Sequence, residues 1–405
     1  MKNKSQYLAF LLFAISTFAF IAGCKYDIAE PMWDRPYTAP ATPKINSVNP
    51  ASIAKAGDNY IRIYGENLVQ GDDSTDVYFG GNKVDVLYMS KDSLVIRRPG
   101  LVLDTCTINV APRKALVEAK YGPYQITKVI DRYGNFLENQ ALNTLLADNA
   151  ENLYVFTLSK TLYKCTPTGQ KDSLTSALRT VTDALLGPDG NIYYFGDSRI
   201  IDRINLITNT TARWTQLPAV SGFNRAVKCG DIAANGYMYV GGNKTDLLGV
   251  NFNTPATIKP AGIYTAATDD IVSIRVHNGY VYVASRTTIG PVKIARHIIN
   301  ADGTVGVEEL ILDLNDFPDY ATALVTSINF DINGTMYLSL DDQNSLLIID
   351  QATNKPDVFY KGLIRPYCKK AVYGKQNFMY LITGDGAKGE EWTIYRVDMG
   401  ANGGN

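Results

Sequence analysis

Six segments of this chain repeat one pattern: an apolar run, a tight polar turn, then an aromatic-rich run. They read LLADNAENLYVF, ALLGPDGNIYYF, CGDIAANGYMYV, VSIRVHNGYVYV, SINFDINGTMYL and KAVYGKQNFMYL. Their aligned tyrosines, Tyr154, Tyr193, Tyr239, Tyr282, Tyr337 and Tyr380, are separated by 39, 46, 43, 55 and 43 residues. Apolar strands flanking a tight turn form a hairpin. A third strand follows each hairpin at the same offset: TLYKCTP, IIDRINL, DLLGVNF, VKIARHI, SLLIIDQ and TIYRVDM. Repetition of a three- or four-stranded unit at this period describes the blades of a ring. The expected fold is all-β, with a six-bladed β-propeller over residues 126–400 and a short tail at 401–405. The last unit has no room for an outer strand after TIYRVDM. YQITKVIDRYGNFL, residues 124–137, can supply that strand and so remove the open edges of the ring, or it can complete the domain that precedes the ring.

That preceding domain is read from residues 44–125. KINSVNP, NYIRIYGENL, DVYFGGNKVDVLYMS, SLVIRRP, CTINVAP and YQITKV alternate with period two and are bounded by Asn, Gly, Pro and Asp. Six or seven such strands make a small sandwich. The segment resembles an IPT/TIG domain, an immunoglobulin-like module. The family's landmarks fall on Pro50, Gly57, the Gly65–Leu68 turn, Phe79–Gly81 and Pro99. In such proteins the module is a spacer or an interaction platform, and a rigid stalk is the reading preferred here.

Ahead of it, Lys2 and Lys4 precede a nearly unbroken apolar run from Tyr7 to Ala22 that ends in FAFIAGCKYD. Charged start, apolar middle and small-residue end have the form of a secretory signal, and the run falls short of the roughly 20 apolar residues that cross a bilayer. IAGC resembles the lipobox of bacterial lipoproteins. The resemblance implies a signal peptide at 1–23, acylation of Cys24, and anchoring by several acyl chains where one would hold only weakly. Residues 24–43 then form a lipidated tether with four prolines and no periodicity.

Composition excludes little else. Loss of Lys2 and Lys4 with the leader takes the formal charge from −1 to −3, and no basic block occurs, which argues against nucleic-acid binding. Cys106, Cys165, Cys229 and Cys368 leave zero, one or two disulfides open, with buried free thiols the expectation. Without a C-x-x-C, and with His277 and His297 the only histidines, a Cys/His zinc site has no support. Both histidines are expected at the surface or at strand edges.

The ring resembles NHL and related six-bladed propellers, some of which are calcium-dependent lactonases. That resemblance makes Asp148, Asp183, Asp231, Asp270 and Asn329 candidate calcium ligands, with calcium the one cofactor to be weighed. The competing reading is that Asp and Asn near strand ends serve local hydrogen bonds. No catalytic signature is present, so the expectation is no enzyme and no catalytic residue.

Blade connectivity places second-to-third-strand loops and inter-blade connections on one face. Candidate ligand-binding residues there are Trp214, Phe223, Arg225, Tyr264, Phe317, Tyr320, Arg365, Tyr367 and Trp392, set among the polar loops GGNKTD, LDDQNS and TGDGAKGEEW. Aromatic rings among polar groups suit a sugar or a peptide. An acylated cysteine, proline-rich tether, IPT/TIG module and propeller together resemble accessory lipoproteins of Sus-type nutrient-uptake systems. The resemblance implies an outer-membrane anchor, a SusC/SusD-like TonB-dependent transporter as partner, and a captured oligosaccharide or peptide. Asp27 and Glu30 resemble a surface-export signal and so imply outward exposure, while the absence of a compact lysine-acid-acid run leaves periplasmic exposure open. Two alternatives are a calcium-dependent hydrolase or lyase and a structural subunit of the transporter. For the anchor, Cys24→Ala is expected to yield an uncleaved or soluble precursor. Normal processing with retention in the detergent-extracted membrane fraction contradicts that.

Overall fold

The computed structural model describes residues 40–404 apart from 71–73, 138, 220–225, 263–268 and 288–289. Lys44–Asn49, Tyr60–Glu66, Ser93–Arg97 and Val86–Met89 pair in that order as one antiparallel sheet. Ile53–Ala54, Ala119–Ile126, Leu103–Pro112, Thr75–Phe79 and Asn82–Val84 form the facing sheet. Alternation decides which side is buried: Ile61 and Ile63 point inward while Arg62 and Tyr64 stay exposed. The inward set packs with Val77, Phe79, Ile108 and Val110 into the core of an immunoglobulin-like sandwich.

Six blades follow. Their inner strands are Leu142–Ala147, Asp183–Leu186, Ala226–Ile232, Asp269–His277, Val325–Phe330 and Cys368–Tyr373. The second strands, Leu153–Thr157, Ile192–Phe195, Tyr237–Asn243, Tyr280–Thr287, Met336–Leu340 and Phe378–Asp385, carry the six repeated tyrosines. All six are buried. A third and an outer strand complete each of the first five blades, and Asn243 of blade 3 also bridges to Asp270 of blade 4. The inner turns follow from sequence. Asn278 and Gly279 both have positive φ, 46° and 79°, the geometry of a two-residue hairpin turn that Asn-Gly adopts readily.

Blade 6 ends with Glu390–Asp398 as its third strand, and Ile130–Arg132 pairs with it as the outer one. The ambiguous stretch at 124–137 therefore serves both domains. Its first residues close the sandwich, and three residues further on the chain closes the ring. Tyr133 secures this seam: its ring lies 5.3 Å from that of Tyr380 in blade 6, and its hydroxyl donates to the Thr166 carbonyl of blade 1 at 2.8 Å. On the blade 1 side, Glu151 reaches back to accept from Gln376 N (2.9 Å) and the Tyr380 hydroxyl (2.8 Å).

Blade-to-blade contact along the axis is made by short polar side chains. Thr182 Oγ1 donates to the Lys228 carbonyl at 2.8 Å, and Asp231 accepts from Val276 N at 2.8 Å. Ser273 accepts from Ile328 N at 3.2 Å, and Ser327 from Ala371 N at 3.0 Å. Asn329 accepts from Tyr373 N (3.1 Å) and donates to the Ala371 carbonyl (3.2 Å), while Asn143 donates to the Val181 carbonyl.

The sandwich docks on the flank of blades 5 and 6. Tyr360, held at φ 49°, accepts from Gly57 N through its hydroxyl (2.7 Å), which donates to the Asp398 carbonyl (3.1 Å). Asn59 and Arg97 hydrogen-bond Val358 and Asp357 at 2.8–3.3 Å, and the Tyr60 hydroxyl donates to Asp357. Asn59 also accepts from Tyr360 N at 3.1 Å. All four thiols beyond the tether are buried and unpaired. Burial pushes Cys165 up to about 11 and Cys368 up to about 12. For the seam, Tyr133→Ala is expected to lower stability by about 3 kcal/mol, as for a buried aromatic truncation. Ile207→Ala, at a side chain 92% exposed, is expected to change it by less than about 0.5 kcal/mol. Equal denaturant midpoints for the two variants would contradict the closure described.

Candidate functional site

The two ends of the ring differ in construction. One end, the loop face, carries the second-to-third-strand loops and the inter-blade connections. The other, the turn face, carries the tight inner turns.

On the loop face, blades 5 and 6 build a polar surface around Tyr367. This residue precedes the inner strand of blade 6 and has φ 62°, a conformation that costs a non-glycine residue about 1–2 kcal/mol. Backbone contacts impose it: Tyr367 N donates to the Asp342 carbonyl at 2.8 Å, and the Tyr367 carbonyl accepts from Gly384 N at 3.1 Å. The half-buried ring is framed on two sides. Lys388 Nζ stands 3.9 Å from the ring centroid, and Gln343 Nε2 donates to the hydroxyl at 2.6 Å.

Beside it, Lys369 Nζ lies 2.9 Å from both Asp341 and Asp385. Burial works against its charged form, yet the two carboxylate hydrogen bonds leave its pKa above the usual lysine value. The same bond to Lys369 outweighs burial at Asp385 and holds that carboxyl below its ordinary range. Lys388 adds a second cation 3.0 Å from Asp341. Arg365 and Glu391 pair at 3.4 Å on the rim.

The candidate residues divide as follows. Arg365 and Tyr367 belong to this sector, and Trp392 and Tyr320 lie to either side of it, in the third strand of blade 6 and in the connection from blade 4 to blade 5. The Trp392 ring packs partly on the core common to blades 6 and 1. Tyr320 and Phe317 lie partly buried on the core of blades 4 and 5. Burial, then the neighbouring Asp319, pushes the Tyr320 hydroxyl up. Trp214 is not with them. Its ring packs at 4.9 Å on Tyr193 and 5.4 Å on Phe252, the latter in a third-to-outer-strand turn of blade 3, so it fills the gap between blades 2 and 3 toward the other end. Cys24, Phe223, Arg225 and Tyr264 lie outside the described residues. Lys369, Lys388, Asp341, Asp385 and Gln343 were not singled out from sequence, although two of the polar loops noted there contain all but Lys369.

Four of the five calcium candidates are engaged in structural bonds. Asp148 Oδ1 accepts from Ala150 N and Asn152 N, both at 2.9 Å, which closes its own turn. Asp231 and Asn329 are two of the axial contacts between blades. Asp183 pairs across the channel with Lys370 at 2.6 Å, and Asp231 pairs with Arg275 of the neighbouring blade at 3.6 Å. Asp270 stands opposite Arg286 in the blade 4 hairpin. Among the described residues, no three His, Cys, Asp or Glu side chains are grouped to hold a metal ion.

Both histidines are buried, contrary to the expectation of surface or edge positions. His277 stacks on Phe330 with centroids 4.2 Å apart and planes within 4°, and Nδ1 meets the Gly404 carbonyl at 3.1 Å. Burial is the main cause of its lowered pKa. His297 Nδ1 meets the Gly306 carbonyl at 3.0 Å.

The architecture is that of an immunoglobulin-like sandwich fused to a six-bladed β-propeller. Residues 43–128 match the IPT/TIG domain family. No curated protein matches the sequence. Among solved structures, an auxiliary nutrient binding protein from Bacteroides thetaiotaomicron is similar with a TM-score of 0.52 at 12% identity, over 88% of this chain and 98% of that one. One from Bacteroides ovatus gives 0.50 at 14% identity over 88% and 97%. A gluconolactonase from Xanthomonas campestris gives 0.50 at 10% identity over 64% and 86%. Likeness at this identity shows the fold, and the fold hosts binding proteins and enzymes alike.

Trp214→Ala is expected to lower stability by about 3 kcal/mol without altering affinity for any ligand of the loop face. Thermal unfolding with calorimetric titration checks this, and an unchanged melting temperature with lost binding would move Trp214 into the site.

Proposed function

We propose that this chain is a non-catalytic binding lipoprotein of the cell envelope that captures an oligosaccharide or peptide on the loop face of blades 5 and 6. The observation that carries the reading is Tyr367: an aromatic platform held in a strained backbone conformation, with Lys388 and Gln343 fixed at its ring and hydroxyl. Strain maintained by its surroundings is a marker of a working position. An aromatic face with charged and amide groups around it offers stacking to the C–H face of a sugar, or to a peptide side chain, and hydrogen bonds to hydroxyls or amides.

Anchoring through Cys24, outward exposure on the outer membrane and delivery to a SusC/SusD-like TonB-dependent transporter complete the proposal. The lipobox and tether support the anchor. A ligand-capturing role is supported by the two Bacteroides folds that extend over both domains and are named for nutrient binding. No described helix is long and apolar enough to cross a membrane. The alternative of a calcium-dependent hydrolase has less to build on, because Asp148, Asp183, Asp231 and Asn329 already spend their oxygens on turns, cations and neighbouring strands.

The test is calorimetry of the mature protein against a panel of glycans and peptides, with Tyr367→Ala and Trp392→Ala variants. Removing one aromatic face is expected to weaken binding about five- to a hundredfold, the equivalent of roughly 1–3 kcal/mol. Ligand binding that is indifferent to both substitutions would place the site elsewhere. Appearance of cleaved product when calcium is added would replace binding by catalysis.

A further inference from the structure

The turn face contains a cavity of about 700 Å³ lined by the inner turns of blades 1, 2, 3, 4 and 6 and by Gly404. Along one side of it lies the chain's own segment 401–404. The Ala401 carbonyl accepts from the Tyr373 hydroxyl at 2.6 Å, and the Asn402 carbonyl from Ile332 N at 2.8 Å. Gly403 N donates to the Gln376 carbonyl at 3.0 Å, and Gly404 N to the Phe330 carbonyl at 2.9 Å. The Gly404 carbonyl meets His277 Nδ1. Four consecutive residues are therefore gripped through their main-chain atoms.

The grip is sterically selective. A Cβ on Gly403 would stand 2.1 Å from the Gly374 carbonyl oxygen, and one on Gly404 would stand 2.3 Å from that of Asp331. Neither glycine has a positive φ, so the requirement is for space between backbones rather than for backbone freedom. A second recess of about 310 Å³, bounded by Ile332, Lys375 and residues 402–404, flanks the segment. The larger cavity offers Leu146, Leu186, Ile232 and Val276 as apolar lining.

We propose that the turn-face mouth is a second binding site, for an extended polypeptide of small residues, and that residues 401–404 occupy its backbone-reading slot in cis. Peptide recognition of this kind draws affinity from main-chain hydrogen bonds and selectivity from side-chain pockets. Along the slot, every bond described is made to a main-chain N–H or C=O of the segment. This site is independent of the loop-face reading, since the two lie at opposite ends of the ring.

The probe is the capped hexapeptide Gly-Ala-Asn-Gly-Gly-Asn, the sequence of residues 400–405. Its binding is measured to the full mature chain and to a chain truncated after Gly400, each checked for native folding by circular dichroism. The truncated chain is expected to bind the peptide at least tenfold more tightly than the full chain, and a peptide with Val at the first position of its Gly-Gly pair is expected to lose that binding. Should truncation unfold the ring, a full-length Gly403→Val/Gly404→Val variant, whose own segment cannot occupy the slot, carries the same test. Equal affinity for full and vacated chains, no binding to the vacated slot, or equal binding of the Val peptide overturns the proposal. So does saturation of this mouth by a neutral oligosaccharide in preference to the peptide.

Discussion

A ring of twisted sheets has one recurrent physical problem: each inner strand has backbone hydrogen-bonded to its own blade on one side only. Its remaining amides and carbonyls line a narrow channel, where leaving them unpaired carries the cost of a buried polar group. This molecule answers with side chains. Thr182, Asp231, Ser273, Ser327 and Asn329 each bond the backbone of the next blade's inner strand, and at the seam Glu151 accepts from Gln376 N in the inner turn of blade 6. The contacts set the angular spacing of the blades, which in turn positions the loops at one end and the turns at the other. Two of the five residues that looked most like metal ligands, Asp231 and Asn329, are engaged in this bonding.

The same logic extends to the junction with the sandwich. Because Ile126 ends one domain and Ile130 begins the closing strand of the other, the linker has no length in which to swing. Tyr360 then ties Gly57 of the sandwich to Asp398 of the ring through a single hydroxyl. A sandwich joined in this way keeps a fixed orientation relative to the loop face of the ring.

Much of this was legible in the sequence. The tyrosine-bearing hairpins announced six blades because a repeat that cannot bury its own faces must stack, and the glycine and proline landmarks of the sandwich follow from turns that few other residues make. The closing segment was ambiguous because both domains need a strand there, and three residues separate the two solutions. The candidate surface was harder to read. Connectivity assigned loops to a face correctly, but it says nothing about which way a side chain on an outer strand leans, so Trp214 was grouped with residues it does not meet. The left-handed conformation of Tyr367 has no signature in its sequence neighbourhood, since it is imposed by Asp342 and Gly384 from other parts of the chain. Buried His277 and His297 were misjudged for a related reason: flanking Asn and polar residues mark a turn or an edge, while burial comes from Phe330 and the backbone of Gly404 and Gly306.

The proposed role of the loop face of blades 5 and 6 is to hold a ligand without transforming it. Hydrogen exchange on the mature protein, with and without a saturating oligosaccharide or peptide ligand, tests this most directly. Protection is expected in residues 341–345, 365–369 and 385–392, with the ligand recovered intact. Unchanged exchange in those three segments at saturation, or recovery of a shortened ligand, would contradict it.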